Sequence, residues 1–401
     1  MSATAGTMPA APAMPGATPL MDRLIRRTVE RHVPLSVHMD ITYRCNERCV
    51  HCYLDHEDHG ELTKDEVFRV LGELAESGTL LLTFSGGEIF LRKDLFEILE
   101  RSRELGFDVS LKTNAILIHA MQARKLVELG VRRVQVSIYS ADAAIHDSIT
   151  KVRGSLERSL TAIRLLKAQG LQVKIACPLM KQNLSSYQEV VDLAAELGVP
   201  YVIDLTITPK MDGDREPLSL RATGAELFPI LQERSCGSRA SAEKAASSAE
   251  SLGSAVSSGV ESAAYDDLTC SAGHNSCYIS PYGDVFPCVQ MPVAAGNLRQ
   301  KSFQEVWRGS SEMKRVRAIR ESQLRVCSKC EIREFCERCP GLAMMEGGDL
   351  MGPYERACEL AELHARNAGV ANPVSAWHRE QANRPAADSR RETASARSAE
   401  L

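Results

Sequence analysis

Apolar segments that alternate with amphipathic segments constrain the fold of this chain most strongly. The alternation runs from residue 34 to about residue 209, and glycines at 106, 130, 170 and 198 follow the amphipathic segments, where a left-handed residue often ends a helix. Strands alternating with helices predict a parallel sheet with right-handed crossovers. A closed eight-fold barrel would need about two more such units, so the pattern favours a partial, open barrel or an open sheet.

The pattern predicts six strands, and each of them looks apolar on both faces, as expected for buried parallel strands. The predicted strands are Leu35–Thr42, Leu80–Phe84, Asp108–Thr113, Arg133–Tyr139, Leu171–Ala176 and Tyr201–Thr206. The predicted helices between them are Lys64–Ser77, Lys93–Gly106, Ile118–Leu129, Gly154–Gln169 and Leu184–Leu197.

Composition divides the chain into regions. Residues 34–234 carry the alternating pattern, and residues 267–365 form a cysteine-rich module. Between them, residues 235–266 are rich in Ala and Ser and predict a flexible or weakly helical linker. The two ends, residues 1–33 and 366–401, are expected to be disordered tails.

Charge and hydropathy exclude several classes of partner. The net charge of −4 gives no indication of a nucleic-acid or membrane-surface partner. The N-terminus lacks the basic and apolar regions of a secretory signal, and no apolar run is long enough to span a bilayer. We therefore expect a cytoplasmic protein without a membrane or nucleic-acid partner.

Thirteen cysteines are many for such a chain, and most of them are clustered. Three lie within residues 45–52 and eight within residues 270–358, whereas Cys177 and Cys236 stand apart. In a reducing compartment, clustered cysteines are more often metal ligands or catalytic groups than disulfide partners. The clusters therefore predict two metal-binding regions.

The first cluster, Cys45-x3-Cys49-x2-Cys52, follows the first predicted strand directly. The spacing also fits one stripe of a helix, so three buried core thiols are one alternative. A zinc site completed by His51 or His56 is another. A third interpretation is a four-iron cluster in which three irons bind these thiolates and one iron stays open for another ligand.

This motif resembles the signature of the radical S-adenosylmethionine (SAM) superfamily. The resemblance implies a [4Fe–4S] cluster on Cys45, Cys49 and Cys52, with SAM chelating the fourth iron. It implies reductive cleavage of SAM to a 5′-deoxyadenosyl radical, which abstracts hydrogen from a substrate, with electrons from a flavodoxin- or ferredoxin-type donor. The implied fold is a partial (β/α)6 TIM-like barrel.

A second element strengthens the resemblance to this superfamily. The second predicted strand runs into Gly86-Gly87-Glu88, where glycines permit close approach to a ligand. The family uses this loop to hold the SAM ammonium group, and it often adds polar SAM contacts at the ends of later strands. By resemblance, the cofactor-binding residues are Gly86, Gly87, Glu88, Thr113, Asn114 and Ser137.

The second cysteine cluster could hold two zinc ions on its eight thiols, because Cys-x2-Cys pairs are typical of zinc sites. Its spacing also resembles the SPASM auxiliary-cluster domain, a small α+β extension of radical SAM enzymes. That resemblance implies two auxiliary [4Fe–4S] clusters, although two residues rather than three precede Cys339. The implied ligands are Cys270, Cys277, Cys288 and Cys339 for the first, and Cys327, Cys330, Cys336 and Cys358 for the second.

SPASM enzymes act on peptides and proteins, so the resemblance implies a ribosomally made precursor peptide as substrate. Crosslinking, epimerisation and side-chain oxidation all remain open as the reaction, and a separate leader-peptide-binding protein is an expected partner. Two alternatives from the same chemistry are tetrapyrrole side-chain modification and sulfatase maturation. A non-catalytic iron–sulfur or zinc module is the alternative from another class.

Overall fold

The structure is a computed structural model, and it describes residues 20–232 and 267–382. Its first part alternates strands and helices after a short N-terminal helix. In chain order the elements are α1 (Leu20–Glu30), β1 (Ser36–Thr42), α2 (Lys64–Glu76), β2 (Leu81–Gly86), α3 (Leu95–Glu104), β3 (Asp108–Thr113), α4 (Ala120–Glu128), β4 (Arg133–Ser137), α5 (Ala143–Thr150), α6 (Ser155–Ala168), β5 (Gln172–Pro178), α7 (Tyr187–Leu197), β6 (Tyr201–Asp204) and α8, described over residues 224–232.

The strands of this first part form one parallel sheet. Their order is β6-β5-β4-β3-β2-β1, so each strand pairs with the one that precedes it in the chain. The predicted six strand–helix units and their parallel pairing are therefore confirmed. Because parallel strands share one direction, the loops that follow their carboxyl ends lie along one edge, where ligands bind in such folds.

The two faces of the sheet differ in chemistry, so the expectation of apolar residues on both faces is wrong. Val37 and Leu111 point to the face that the helices cover, and both are fully buried. His38, Ser110 and Lys112 alternate with apolar residues along the same strands and are only partly buried. The inner face of the partial barrel is therefore a polar surface that a substrate can contact.

The cysteine-rich part begins with short strands and continues with short helices. Its elements are β7 (Ser276–Ile279), β8 (Asp284–Phe286), β9 (Gly296–Asn297), α9 (Phe303–Gly309), α10 (Ser311–Ala318), α11 (Pro340–Gly347), α12 (Glu355–Asn367) and α13 (Ala376–Ala382). No helix in the two described ranges combines the length and the hydropathy needed to cross a bilayer.

The strand β7 joins the two parts of the molecule. It pairs in parallel with β1 and antiparallel with β8, so that the sheet extends to nine strands. Ile279, Phe303 and Trp307 belong to the same hydrophobic core as the strands of the barrel. The first half of the cysteine-rich region thus shares the main core, an arrangement that the sequence did not reveal.

The helices α9 and α10 follow each other directly but are separate elements. Ser310 separates them with an extended ψ of 136°. Its hydroxyl accepts hydrogen bonds from the amides of Glu312 and Met313, which fixes the start of α10. The first helix, α9, ends at Gly309, and the serine cap then starts a separate helix.

The prediction of disordered ends is wrong for residues 20–33 and 366–382. In α1, Ile25 and Val29 are buried, and Asn275 donates a hydrogen bond of 3.2 Å to Thr28. At the other end α12 continues to residue 367, and α13 follows. Both ends bury apolar side chains on the cysteine-rich region, which average composition does not detect. The other predicted tail residues, 1–19 and 383–401, and the linker 235–266 lie outside the described residues.

Candidate active site and auxiliary cysteine sites

The first cysteine cluster lies in an irregular loop that follows β1 at the carboxyl edge of the sheet. Cys45, Cys49 and Cys52 are each partly exposed, and none of them lies in a helix. Two amides of the loop, at residues 48 and 50, donate hydrogen bonds of 3.0 Å to carbonyl oxygens in the last turn of α5. The alternative of a buried helical stripe of thiols is therefore wrong.

Gly86 and Gly87 bring the end of β2 directly against this loop. The Gly87 amide donates to the Thr42 carbonyl and the Glu88 amide to the Arg44 carbonyl, both at 2.9 Å. A Cβ on Gly86 would lie 2.0 Å from the Thr42 oxygen, and a Cβ on Gly87 would lie 2.3 Å from the Arg44 oxygen. The glycines are thus needed for the close approach of the cysteine loop itself, whereas the sequence suggested close approach of a ligand.

Glu88 is fully buried, and its carboxylate connects the ends of β2 and β3. The Thr113 hydroxyl lies 2.9 and 2.8 Å from the two carboxylate oxygens, and the amides of Asn114 and Phe90 donate at 2.9 and 3.0 Å. The Asn114 side chain then donates to Asn46 of the cysteine loop at 2.7 Å. Three predicted site residues therefore meet here, and the geometry supports a positioning role for the Glu88 side chain.

Aromatic residues flank the cysteine loop on the side of β4. The Tyr139 hydroxyl donates to the Cys49 sulfur at 3.7 Å, and its ring lies 5.0 Å from the ring of His51. Ser137, the last residue of β4, pairs with Ala176 and is partly exposed at the same edge of the sheet. The end of β4 therefore borders the loop, as predicted for a site at the strand ends.

The three thiols of the loop fit a metal cluster because they are partly exposed and lie together in one short irregular loop. Burial raises the pKa of Cys45 to about 12 and also raises the pKa values of Cys49 and Cys52. The Glu47 amide donates to the Cys45 sulfur at 3.4 Å, which suits an anionic sulfur. A coordinated metal deprotonates a thiol outright, so a cluster supplies the positive charge that thiolates need here.

Glu47 is a site residue that the sequence did not identify. It is 3% exposed, and burial raises its pKa to about 7. One carboxyl oxygen accepts a hydrogen bond of 3.3 Å from the Cys49 thiol, and the other is buried without a partner in the described part of the chain. Nothing in its local sequence distinguishes it from the exposed acids of an ordinary loop.

A hydrogen-bonded network on the inner face connects the cysteine loop with β7. The Tyr278 hydroxyl donates to Asp40 at 2.9 Å and lies 2.6 Å from the hydroxyl of Tyr43. His38 bonds to the other Asp40 oxygen at 3.1 Å. Because Tyr43 precedes Cys45 by two residues, the network connects the cysteine loop to the hairpin that β7 and β8 form. Its members could be found only from the pairing of β7 with β1.

Three of the predicted ligands of the first auxiliary cluster share one environment. Cys270 and Cys288 pack against the same small group of apolar side chains. The charge of Cys339 helps to raise the pKa of both thiols. The Cys339 thiol lies 3.3 Å from the side-chain oxygen of Gln290. Cys277 differs, because β7 places it in the main hydrophobic core, where burial raises its pKa. The structure therefore brings three of the four predicted thiols within electrostatic range of one another and places the fourth, Cys277, in the main core near Cys288.

The four predicted ligands of the second auxiliary cluster line one cavity. Short 3₁₀ turns present Cys327, Cys330 and Cys336, and α12 presents Cys358. Burial is the main cause that raises the pKa values of Cys336 and Cys358, to about 11 and 12, and the neighbouring thiolates add to it. Three thiols that are close in sequence and a fourth from a later helix thus line one site.

None of the twelve described cysteines forms a disulfide. Within the same ranges, no three His, Cys, Asp or Glu side chains are grouped so that they could hold one metal ion. Cys177 is buried in the main core with its thiol 3.6 Å from the Tyr139 carbonyl, apart from both clusters. Cys236 lies outside the described residues.

Two family models match this chain. The model of the Radical SAM superfamily matches residues 39–219, and the SPASM model, described as an iron-sulfur cluster-binding domain, matches residues 270–331. The first match includes the whole of the first cysteine cluster. The second match includes only part of the second cysteine cluster. Cys336, Cys339 and Cys358 lie beyond the second match, so the case for these three rests on where the structure places them.

Two curated proteins and one solved structure illustrate the similarity. The AdoMet-dependent heme synthase of Methanosarcina barkeri is 30% identical over 348 residues, which cover 80% of this chain and 95% of that protein. The PqqA peptide cyclase of Rhodopseudomonas palustris is 29% identical over 354 residues, covering 83% of this chain and 89% of that protein. The structure of Streptococcus suis SuiB bound to precursor peptide SuiA aligns with a TM-score of 0.64 at 19% identity, covering 84% of this chain and 80% of that chain.

The solved structure supports the fold, and the heme synthase, matched over nearly its whole length, supports the family. The predicted partial barrel with a cysteine-rich extension is confirmed. This chain belongs to the radical SAM superfamily, and it is an enzyme of the group that carries a SPASM iron–sulfur domain.

Proposed function

We propose that this enzyme holds a [4Fe–4S] cluster on Cys45, Cys49 and Cys52, binds SAM beside it and modifies a peptide by radical chemistry. The observation that carries the proposal is the direct packing of the Gly86–Glu88 loop against the cysteine loop. Bound there, the cluster and SAM would supply reductive cleavage of the SAM C5′–S bond and hence a 5′-deoxyadenosyl radical.

The chain's own residues position these groups and exclude side reactions. Gly86, Gly87, Thr113, Asn114 and Ser137 are the proposed SAM contacts, because they lie at the carboxyl ends of adjacent strands next to the cysteine loop. Glu88 fixes the relative position of β2 and β3 through its hydrogen bonds and stays enclosed. A site held by strand ends and buried hydrogen bonds keeps a bound cofactor in one orientation, which radical chemistry requires.

A peptide is the proposed substrate for two reasons. The relative named PqqA peptide cyclase matches this chain over most of its length. The inner face of the barrel also presents polar side chains that include His38 and Lys112, and these can bond to the amides and charged groups of a peptide. The resulting change would be a crosslink, an epimerised centre or an oxidised side chain of a ribosomal precursor peptide.

Tetrapyrrole side-chain modification is a second candidate. The observation that favours it is the 30% identity to an AdoMet-dependent heme synthase, of which this chain covers 95%. Lys112 and Lys174 on the inner face could bind the carboxylates of such a substrate. The two candidates share the SAM chemistry and differ only in what the inner face binds.

We further propose that the SPASM region holds two auxiliary [4Fe–4S] clusters, with the ligand sets Cys270, Cys277, Cys288, Cys339 and Cys327, Cys330, Cys336, Cys358. These clusters would accept or deliver single electrons. A flavodoxin- or ferredoxin-type protein is the proposed donor, and a separate protein would bind the leader peptide. Because clustered thiols persist in reducing compartments, we place the reaction in the cytoplasm.

We also propose that the chain consists of two units joined by a linker. Residues 34–234 would form the SAM-binding unit and residues 267–365 the auxiliary unit, with the segment 235–266 as their linker. The parallel pairing of β1 with β7 indicates that the two units fold onto one sheet. Separate expression of the two halves is therefore expected to fail.

The test uses anaerobically reconstituted protein with dithionite and SAM. Formation of 5′-deoxyadenosine supports the reaction, and its absence in protein with a full iron and sulfide content would overturn it. Candidate precursor peptides and a tetrapyrrole are then added in parallel, and each product mass is measured. A mass change in the peptide alone supports the first candidate, whereas a change in the tetrapyrrole alone replaces it with the second.

A further inference from the structure

The C-terminal segment covers the cavity that the second set of auxiliary cysteines lines. Ser375, Ala376 and Trp377 line this cavity together with Cys327, Cys330, Cys336 and Cys358. Ser375 is 2% exposed, so the segment is packed against the site and does not merely pass over it. The sequence offered no indication of this arrangement, because residues 366–401 were expected to be a disordered tail.

Two polar groups of the segment point at cysteine sulfurs. The Ala376 amide donates to the Cys330 sulfur at 3.4 Å. The Ser375 side chain hydrogen-bonds to the Cys358 sulfur across the same cavity. Both contacts favour sulfur in its anionic form, which is the form that binds iron.

Three further contacts hold the segment in place. The Ser375 amide donates to Glu362 at 2.7 Å, and His378 bonds to the same Glu362 oxygen at 2.6 Å. Arg379 forms an ion pair of 2.7 Å with Glu331, which follows Cys330 directly. Glu362 lies on α12, the helix that also carries Cys358. The segment is therefore fixed to the same elements that present the thiols.

We propose that residues 375–377 form a cap over the second auxiliary cluster, in which the Ala376 amide donates a hydrogen bond to a cluster sulfur. The inference rests on the proposed assignment of an iron–sulfur cluster to these four cysteines. The cap has two consequences for a bound cluster. Hydrogen bonds to the sulfurs set its reduction potential, and the covered cavity limits its contact with solvent and oxygen.

The hydrogen bond can be removed by a single substitution. Ala376 is the first residue of α13, a position whose backbone suits proline, and in Ala376→Pro a ring carbon replaces the amide hydrogen, so that no donor faces the Cys330 sulfur. Ala376→Gly keeps the amide and is the matched control. Because an N–H donor stabilises the more negative, reduced cluster, its loss is expected to shift one midpoint potential to a more negative value. Redox titrations followed by electron paramagnetic resonance compare the two variants with the wild type.

The cover can be removed by truncation. A chain that ends at Asn372 lacks the cap, whereas a chain that ends at Ala382 keeps it and serves as control. On exposure to air, the first truncation is expected to lose about one third of its iron–sulfur absorbance several-fold faster than the second, because one of three clusters is uncovered. Circular dichroism shows whether both truncations are folded, and Ala376→Pro tests the cap independently of truncation.

The outcomes separate the cap from the cluster assignment. A midpoint shift in Ala376→Pro relative to Ala376→Gly, with faster bleaching of the shorter chain, supports the cap. Equal midpoints in these two variants overturn it. Zinc in this site of the wild type, or roughly eight rather than twelve irons per chain, overturns the cap together with the second cluster. In that case 5′-deoxyadenosine formation by the same sample shows that the SAM chemistry still stands.

Discussion

The two cysteine regions position their thiols in different ways. Cys45, Cys49 and Cys52 come from one loop of eight residues, and the ends of β2 and β3 hold that loop through backbone contacts and a buried carboxylate. Most of the auxiliary thiols come from turns and helices spread over residues 270–358, whereas Cys277 lies on β7 in the main core. The first site therefore depends on the barrel, and most of the auxiliary thiols depend on local packing within the cysteine-rich region.

The largest expected effects come from removing thiols in each region. Cys49→Ala is expected to abolish 5′-deoxyadenosine formation while leaving roughly two thirds of the iron, because two auxiliary clusters remain. Cys330→Ala is expected to do the reverse, keeping SAM cleavage but losing about one third of the iron and the turnover of substrate. Iron and sulfide analysis with chromatography of the adenosyl product measures both effects.

Cys177→Ala is the matched control for these substitutions. It removes a thiol that is buried in the main core and belongs to neither cluster. It is expected to keep all of the iron and the SAM cleavage. If Cys49→Ala and Cys330→Ala lost the same activity and the same iron, the two regions would not be independent.

A smaller effect is expected from Gly87→Ala, which tests the contact between β2 and the cysteine loop. The new Cβ would lie 2.3 Å from the Arg44 carbonyl oxygen and 2.6 Å from the Tyr43 carbonyl oxygen, so the loop must move. Displacement of a reactive group by about 1 Å can reduce a rate about a hundred-fold, so we expect a 10- to 100-fold loss of SAM cleavage. Rates of 5′-deoxyadenosine formation in reconstituted protein give the measurement.

Gly72→Ala provides the control for the glycine substitution. Gly72 lies in α2 with open space around its Cα, and its backbone is helical. Alanine is favoured over glycine in a helix by about 1 kcal/mol, so this variant is expected to be fully active and slightly more stable. A fully active Gly87→Ala would mean that the loop is not fixed by β2.

The barrel could be predicted from the sequence because its signals are local. The alternation of strands with helices, the cysteine spacing and the Gly86–Glu88 loop each occupy a short stretch of chain. Glu88 was identified through the resemblance of the Gly86–Glu88 loop, and Thr113 and Asn114 were identified as residues at a strand end; parallel pairing brings such ends together. The sequence could not show the direction of the Glu88 side chain. In the structure this side chain points into the protein interior, where it is fully buried.

The remaining features depend on contacts between distant segments. The pairing of β7 with β1 joins residues about 240 positions apart, and nothing in either strand marks the other as its partner. The network of Asp40, Tyr43 and Tyr278 follows from that pairing. In the same way the cap at residues 375–377 becomes visible only when α12 and the cysteine turns are in place. Each of these features requires the folded chain.

A moderate loss of stability is expected when that network is broken. Tyr278→Phe removes the hydroxyl that donates to Asp40, whose side chain is fully buried, and leaves Tyr43 without this neighbour. An unsatisfied buried polar group costs about 1–3 kcal/mol, so the melting temperature is expected to fall by several degrees. Melting curves of the reconstituted protein under argon provide the measurement.

Tyr282→Phe is the matched control for the network. Its hydroxyl donates to the Glu57 carbonyl at 2.8 Å, but this contact lies at the exposed rim. Its loss is expected to change the melting temperature little, because water can replace the partner. Equal losses in both variants would show that the buried network does not couple the barrel to the hairpin.

The smallest expected effect concerns an ion pair between the barrel and the hairpin region. Arg299 donates to both oxygens of Glu66 at 2.7 and 3.0 Å, and this contact is the main cause that lowers the pKa of Glu66 to about 2. Glu66 also completes the capping box of α2 with Thr63. Glu66→Gln keeps the capping acceptor and removes the charge, so it isolates the ion pair.

Both partners are partly exposed, so water screens the pair and its contribution is expected to be about 0.5–1 kcal/mol. Glu66 has a lower pKa in the folded than in the unfolded state. Its contribution is therefore complete above about pH 4.3 and is lost as the pH falls towards 2.

Glu305→Gln is the control, because Glu305 holds the same capping position in α9 with Ser302 and forms no described ion pair. At pH 7, Glu66→Gln should lower the melting temperature more than Glu305→Gln at low salt, and the difference should shrink in 1 M salt, where the screening length falls to about 3 Å. If the difference in melting temperature persisted in high salt, the effect would come from the helix cap. The ion pair between Arg299 and Glu66 would then not stabilise the contact between the barrel and the cysteine-rich region.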